Sequence, residues 1–237
     1  MLLMSSIGVL IILLLISSIP AIAVFIWFRL THNQFSLPRF SFSLLAGAVS
    51  FFPALLFQNI LSAKNGIFNV ANKWGLFAEI FARIAFTEEF SRLIILIILV
   101  ILLRRLEQKL TDSQNIENIS SVTLTSATGL VAGLGFAIIE NVVYGASNPG
   151  NTLLRTFTAA PLHGACGYRV GSSISIFRDN PVRSFFRFLS AVIIHGVYNF
   201  MLIIPGIFPS IVAILIALFS LISSILAIHN GMNPSKE

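Results

Sequence analysis

Seven apolar stretches, each about 20 residues or slightly more and separated by polar connections, dominate the chain. They cover about 6–28, 41–62, 78–103, 124–146, 154–177, 185–204 and 207–228. At 1.5 Å of rise per residue, each is long enough for a helix to cross a hydrocarbon core ~30 Å thick. The pattern predicts an all-α polytopic transmembrane helix bundle of about seven spans, forming a single membrane domain over 1–237. The third stretch is long, and 66–81 reads as an amphipathic segment lying at the interface before it. The longest polar connection, 104–121, reads as a short exposed loop.

Four of these stretches contain residues that a lipid-facing helix avoids. They read TEEFSR (87–92), GFAIIENVVYG (135–145), PLHGACGY (161–168) and IIHGVYNF (193–200). A charge at the bilayer centre costs at least roughly 2.5–3.5 kcal/mol, so such residues face the bundle interior and mark function. Glu88, Glu89 and Glu140 with His163 and His195 supply three carboxylates and two imidazoles, a set able to bind a metal and activate water.

Lys and Arg are distributed unevenly. With the N-terminus outside, inner segments hold Arg29, Arg39, Arg104, Arg105, Lys109, Arg178, Arg183, Arg187 and Lys236, and outer loops hold Lys64 and Lys73. This positive-inside bias predicts an N-out, C-in topology. It also accounts for the net charge of +6 without a nucleic-acid partner. The first stretch lacks a basic leader and stays apolar beyond Ala21-Ile22-Ala23, so it is expected to be a retained anchor. In this topology the polar residues of four antiparallel spans fall at similar depth, in the middle or outer half of the bilayer. One polar site within the membrane follows.

Composition adds little more. The residues are 56% hydrophobic and 10% charged, against about 25% charged in soluble domains, and the mean hydropathy is +0.92. The single cysteine, Cys166, excludes an internal disulfide and reads as a packing residue.

Within the motifs, Glu88 and Arg92 are four apart with the acid N-terminal, the favourable order for a pair, and Glu89 could pair with Arg92 at three. Adjacent carboxylates repel while a neighbouring arginine stabilises one of them, an asymmetry that suits acid/base work. A structural ion pair is the plain alternative. Phe136, Glu140 and Tyr144 share one helix face, with Asn141 beside Glu140. Gly129 and Gly133 form a GxxxG for close helix packing. His163, Gly167 and Gly171 make a small-residue stripe, and Arg169 is expected to meet a carboxylate or headgroups. Asn199 lies one turn beyond His195 and can donate to an oxyanion. His32 and His229 lie near span ends and receive no role. There is no HExxH, GxSxG, P-loop or intramembrane aspartate pair.

In order, these segments resemble the PrsW family of intramembrane metalloproteases over about 78–200, the expected catalytic core. The family pattern is an EExxK-like motif, an FxxxEN motif and two histidine helices. It stands here as Glu88-Glu89-Phe90-Ser91-Arg92, Phe136 to Glu140-Asn141, His163, and His195 with Asn199. Arg92 replaces the more usual lysine. More distantly, the chain is similar to the CAAX-prenyl endopeptidases and bacteriocin-immunity proteases of the wider superfamily. The resemblance implies an intramembrane endopeptidase in the lipid bilayer of a bacterial inner membrane. Its implied substrate is a membrane-anchored, anti-sigma-factor-like protein, cut on its outer side. In that scheme Glu140, His163 and His195 hold a divalent metal, zinc by expectation, or directly hold a water. Glu88 or Glu89 moves the proton, Arg92 keeps the other acid ionised, and Asn199 steadies the oxyanion; Phe136, Asn141 and Tyr144 support. The spacing favours Arg92 pairing with Glu88, whereas the wider superfamily favours the first glutamate as base. A transporter or small-ligand binder predicts broken helices and a duplicated half, and no clear internal repeat is evident. A non-catalytic scaffold would lose the paired glutamates.

Overall fold

The structure, a computed structural model, describes residues 2–32, 35–62, 73–110 and 121–232. Among them are seven long α-helices and no strand. They are α1 (Leu2–Thr31), α2 (Leu37–Ser62), α4 (Thr87–Leu110), α5 (Ser121–Ser147), α6 (Pro149–Ile176), α7 (Pro181–Ile203) and α8 (Ile207–Met232), with a short α3 (Lys73–Ala78) between α2 and α4. Part of the amphipathic stretch, 66–72, and 111–120 of the polar connection lie outside the described residues.

Five of the long helices are long and apolar enough to cross a membrane: α1, α2, α5, α7 and α8. The other two, α4 and α6, contain the interruptions. Glu88, Glu89 and Arg92 open α4, and Arg155, His163 and Arg169 punctuate α6. Their polar side chains turn inward, so composition understates how these helices fit the bundle.

Most helices start a few residues earlier than the apolar pattern predicts, and at α6 and α7 the caps show why. Asn148 caps α6, accepting from the Gly150 amide at 3.2 Å, and Asn180 caps α7, accepting from the Arg183 amide at 2.9 Å. Each is followed by proline at the first helical position, where its missing N–H costs nothing.

At the centre, α5 and α6 lie against each other more intimately than any other pair. A Cβ on Gly133 would sit 1.9 Å from the His163 carbonyl oxygen, and one on Gly167 would sit 2.2 Å from that of Gly129. Only glycine permits this backbone-to-backbone approach. One apolar cluster joins α1, α2, α5 and α8 through residues such as Phe28, Phe35, Leu130 and Ile228. A second joins α4, α6, α7 and α8 through Leu96, Leu162, Tyr198 and Ala213.

Before α4 the chain departs from α geometry. Glu79–Phe86 is a π-helix, and its flanking residues Ala78 and Thr87 are both right-handed helical, so one continuous rod runs through α3, the π-helix and α4. Thr87 Oγ1 donates to the carbonyl of Arg83 at 2.5 Å. Arg83 pairs with Glu79 and donates through Nη1 to the Gln58 carbonyl of α2 at 3.3 Å. Phe81 lies so close over Gly196 that a Cβ there would be 2.3 Å from its ring. π segments occur frequently at functional sites, and this one ends two residues before Glu88.

Candidate active site

Glu88 and Glu89 lie in the first turn of α4, and Arg92 follows one turn later. All three are buried, Arg92 completely. Arg92 pairs through Nη1 with Glu89, three residues back. Of the two pairings that the spacing allows, the structure has the one with Glu89. The other Glu89 oxygen accepts from His195 Nδ1 on α7 at 2.8 Å. An ionised carboxylate only accepts, so Nδ1 holds the ring proton and Nε2 of the neutral ring keeps its lone pair.

A second arrangement of the same kind stands beside it. His163 Nε2 on α6 meets Glu140 Oε2 on α5 at 2.8 Å, and Arg155 Nη2 reaches the same oxygen at 2.5 Å. Arg92 Nη2 lies 3.3 Å from His163 Nδ1. A guanidinium cannot accept, so Nδ1 accepts and the Nε2 proton goes to Glu140. The site thus contains two arginine–glutamate–histidine chains, Arg92–Glu89–His195 and Arg155–Glu140–His163, cross-linked by Arg92. The two imidazoles meet edge-on with ring centres 5.0 Å apart.

Glu88 lies between these chains. Its Oε1 accepts from Gln58 Nε2 of α2 at 3.1 Å. Its Oε2 is the one fully buried carboxylate oxygen without a hydrogen-bond partner among the described residues. That oxygen is 3.7 Å from His195 Nε2, too far for a hydrogen bond. A buried acceptor without a donor is costly, which makes this gap the natural seat for a water or a cation.

The donor chemistry fits a metal. Glu88, His163 and His195 each offer a ligand atom, all within 4.8 Å of one another, and His163 can ligate through Nδ1 once Arg92 Nη2 gives up that lone pair. Two imidazoles and one carboxylate are a zinc-type set. The carboxylate gathered with the two imidazoles is Glu88, while Glu140 is engaged by Arg155 and His163.

A family model for the PrsW family intramembrane metalloprotease matches residues 37–224. The chain belongs to the PrsW family. It is accordingly a multi-pass membrane protease, a hydrolase, with a buried Glu/His/His group able to hold a metal. Neither the curated proteins nor the solved structures compared with it gave a match.

The supporting residues of this PrsW-family chain are placed unequally. Phe136 is buried, its ring 5.0 Å from that of His163 and under the Arg92 guanidinium at 4.7 Å. Asn141 is buried, and its Oδ1 accepts from Arg155 Nε at 3.0 Å. Tyr144 is half exposed and stacks under the Arg155 guanidinium at 4.2 Å. Asn199 is half-buried and makes no hydrogen bond with another described residue.

Outside the site, Arg169 is half-buried and pairs with no carboxylate among the described residues. Its Nη1 donates to the Ala165 carbonyl at 3.0 Å and to Ser224 Oγ at 3.4 Å, because α8 closes over that face of α6. His32 and His229 face each other at 3.2 Å, joining the ends of α1 and α8. Arg155 and Gln58 are the site residues that the motifs miss. Arg155 had a signal, a charge just inside an apolar stretch. Gln58 had little, as a polar residue near the end of a span.

Proposed function

We propose that this protein is a glutamate-dependent intramembrane endopeptidase in a bacterial plasma membrane. Its substrate is a membrane-anchored, anti-sigma-factor-like protein, cut toward the outer side of the bilayer. The observation that supports the mechanism is the unpartnered Glu88 Oε2 beside His195 Nε2.

Glu88, His163 and His195 would hold a divalent ion, zinc by donor type. Such an ion supplies a more acidic water and a polarised carbonyl. The rest falls to the chain. Glu88 Oε2 can be ion ligand or base, one at a time: as base it would leave the ion to His163 and His195, take the proton of the attacking water and return it to the leaving amine. Glu89 is unsuited to that task, because both of its oxygens are engaged by Arg92 and His195. It fixes the orientation and tautomer of His195, as Glu140 does for His163. Arg155 holds Glu140 and Asn141 together. Asn199, one turn beyond His195, is free to donate its amide to the oxyanion.

The test is cleavage of a candidate single-span substrate by detergent-purified protein, with bound zinc measured in parallel. Glu88→Gln is expected to abolish detectable cleavage while the protein remains folded. Cleavage by Glu88→Gln at the parental rate would overturn the mechanism. Sequence-specific uptake of a small solute by vesicles, without cleavage, would overturn the protease reading of this site.

A further inference from the structure

Away from the catalytic residues, α4, α6 and α7 enclose a groove of about 470 Å³. On α4 it is lined by Leu93, Ile97 and Ile101, which share one helix face, and on α7 by Phe185 and Phe188. Arg104 of α4 and Arg178, just beyond the end of α6, border it. Its far end, at Leu93, is adjacent in sequence to Arg92. From Leu93 to Arg104 the helix rises about 17 Å.

We propose that this groove seats one anionic phospholipid, an acyl chain lying along α4 and the phosphate held by Arg104 and Arg178. Three observations lead to that occupant. The first is dryness. The serines of the wall are committed to backbone carbonyls: Ser173 to Val170 at 2.7 Å, Ser175 to Ser172 at 2.8 Å and Ser184 to Ser173 at 2.7 Å. Their protons are unavailable to a polar guest, so the interior offers hydrocarbon to hydrocarbon.

The second is size. The volume lies in the range of small-molecule sites. A single lipid tail lying along α4 suits a groove of this size.

The third is charge. Arg104 and Arg178 are exposed and make no ion pair with another described residue. Asp179, the carboxylate next to Arg178 in sequence, is likewise exposed and unpaired among the described residues, and the side chain of Glu107, three residues after Arg104, lies outside them. Guanidinium groups match the oxygens of a phosphate in forked geometry, and positive residues at a membrane surface attract anionic lipid. The greasy slot and its cationic mouth together describe the two halves of an anionic phospholipid.

The experiment is native mass spectrometry of the intact purified protein titrated with phosphatidylglycerol or with phosphatidylcholine of the same chains. One phosphatidylglycerol is expected to be retained about tenfold more tightly. Arg104→Ala with Arg178→Ala should remove that preference, and both positions are exposed, so folding is unaffected. Ile97→Trp, which fills the slot while leaving both arginines, should lower binding of both lipids. A photo-crosslinker at Ile97 in vesicles containing phosphatidylglycerol and a single-span substrate should label lipid. Equal retention of the two lipids, indifference to the arginine pair, or a crosslink to the substrate would each overturn the proposal.

Discussion

His195 donates its Nδ1 proton to Glu89 at 2.8 Å, tying α7 to the first turn of α4. The bond makes Glu89 a structural partner of both His195 and Arg92. Glu89→Gln keeps an acceptor for the imidazole but leaves Arg92 buried without its counter-charge. Breaking a buried pair in this way costs roughly 3–5 kcal/mol. Glu88→Gln removes no ion pair with arginine, so its stability cost should be much smaller. Its activity should fall about a hundred- to ten-thousand-fold, the usual range for a lost general base. Thermal unfolding and cleavage rate, measured on both variants, separate the two roles. A large stability loss in Glu88→Gln with none in Glu89→Gln would reverse the assignment.

Arg155 acts on Glu140 and Asn141 without touching Glu88 through any hydrogen bond. Arg155→Met should lower kcat about 10–100-fold, the range seen when groups orienting a metal-site histidine are removed. Arg155→Lys should retain more, because one ammonium can still reach Glu140 but cannot fork to Asn141. Equal losses in both variants would mean that charge alone matters at this position.

The glycine seam can be tested by a single methyl group. Gly133→Ala drives a Cβ to within 1.9 Å of the His163 carbonyl oxygen unless the helices separate. The cost should reach the upper end of the ~1–3 kcal/mol typical of overpacking. Because the displaced residue is His163, activity should fall with stability. Gly8→Ala, with nothing within 4 Å of its new carbon, is the control and should leave both unchanged.

A pH effect is expected from the histidine pair at the other end of the bundle. His32, beyond the end of α1, is buried near Trp27 and 3.2 Å from His229. Burial first, and the neighbouring His229 second, lower its pKa from the ordinary 6.5. A depressed folded-state pKa means that the unfolded chain takes up the proton first. The contribution to stability is therefore full above about 6.5 and is lost as pH falls below that value. Melting temperatures across this interval should decline with acidification, and His32→Gln should flatten the decline. An unchanged slope in the variant would remove His32 as its source.

Much of the bundle is legible in the sequence because lipid imposes a simple rule: apolar stretches span, and polar residues inside them turn inward. That rule is enough to bring Glu88, Glu89, Glu140, His163 and His195 to one depth. It does not reach the choice between partners at short range. Arg92 can face Glu88 or Glu89 on spacing alone, and the outcome is set by His195 and Phe136, which arrive from other helices. Arg155 meets Glu140 only because the glycines let α5 and α6 touch. The π-helix is invisible to a periodicity of 3.6 residues, since its wider turn is stabilised by contacts such as Thr87 to Arg83 and Phe81 over Gly196. The donor role of Glu88 likewise depends on which oxygen Gln58 leaves open.

The interlocked α5 and α6 divide the catalytic pocket into unequal jaws. Glu140 and His163 ride on the anvil, where carbonyls would collide before either backbone could slide. Glu88, Glu89 and His195 ride on rods clamped to that anvil by softer side-chain grips, including one aromatic ring seated on a bare backbone. Any movement around the site therefore falls to the hammer side, with the opposite half as the stationary reference.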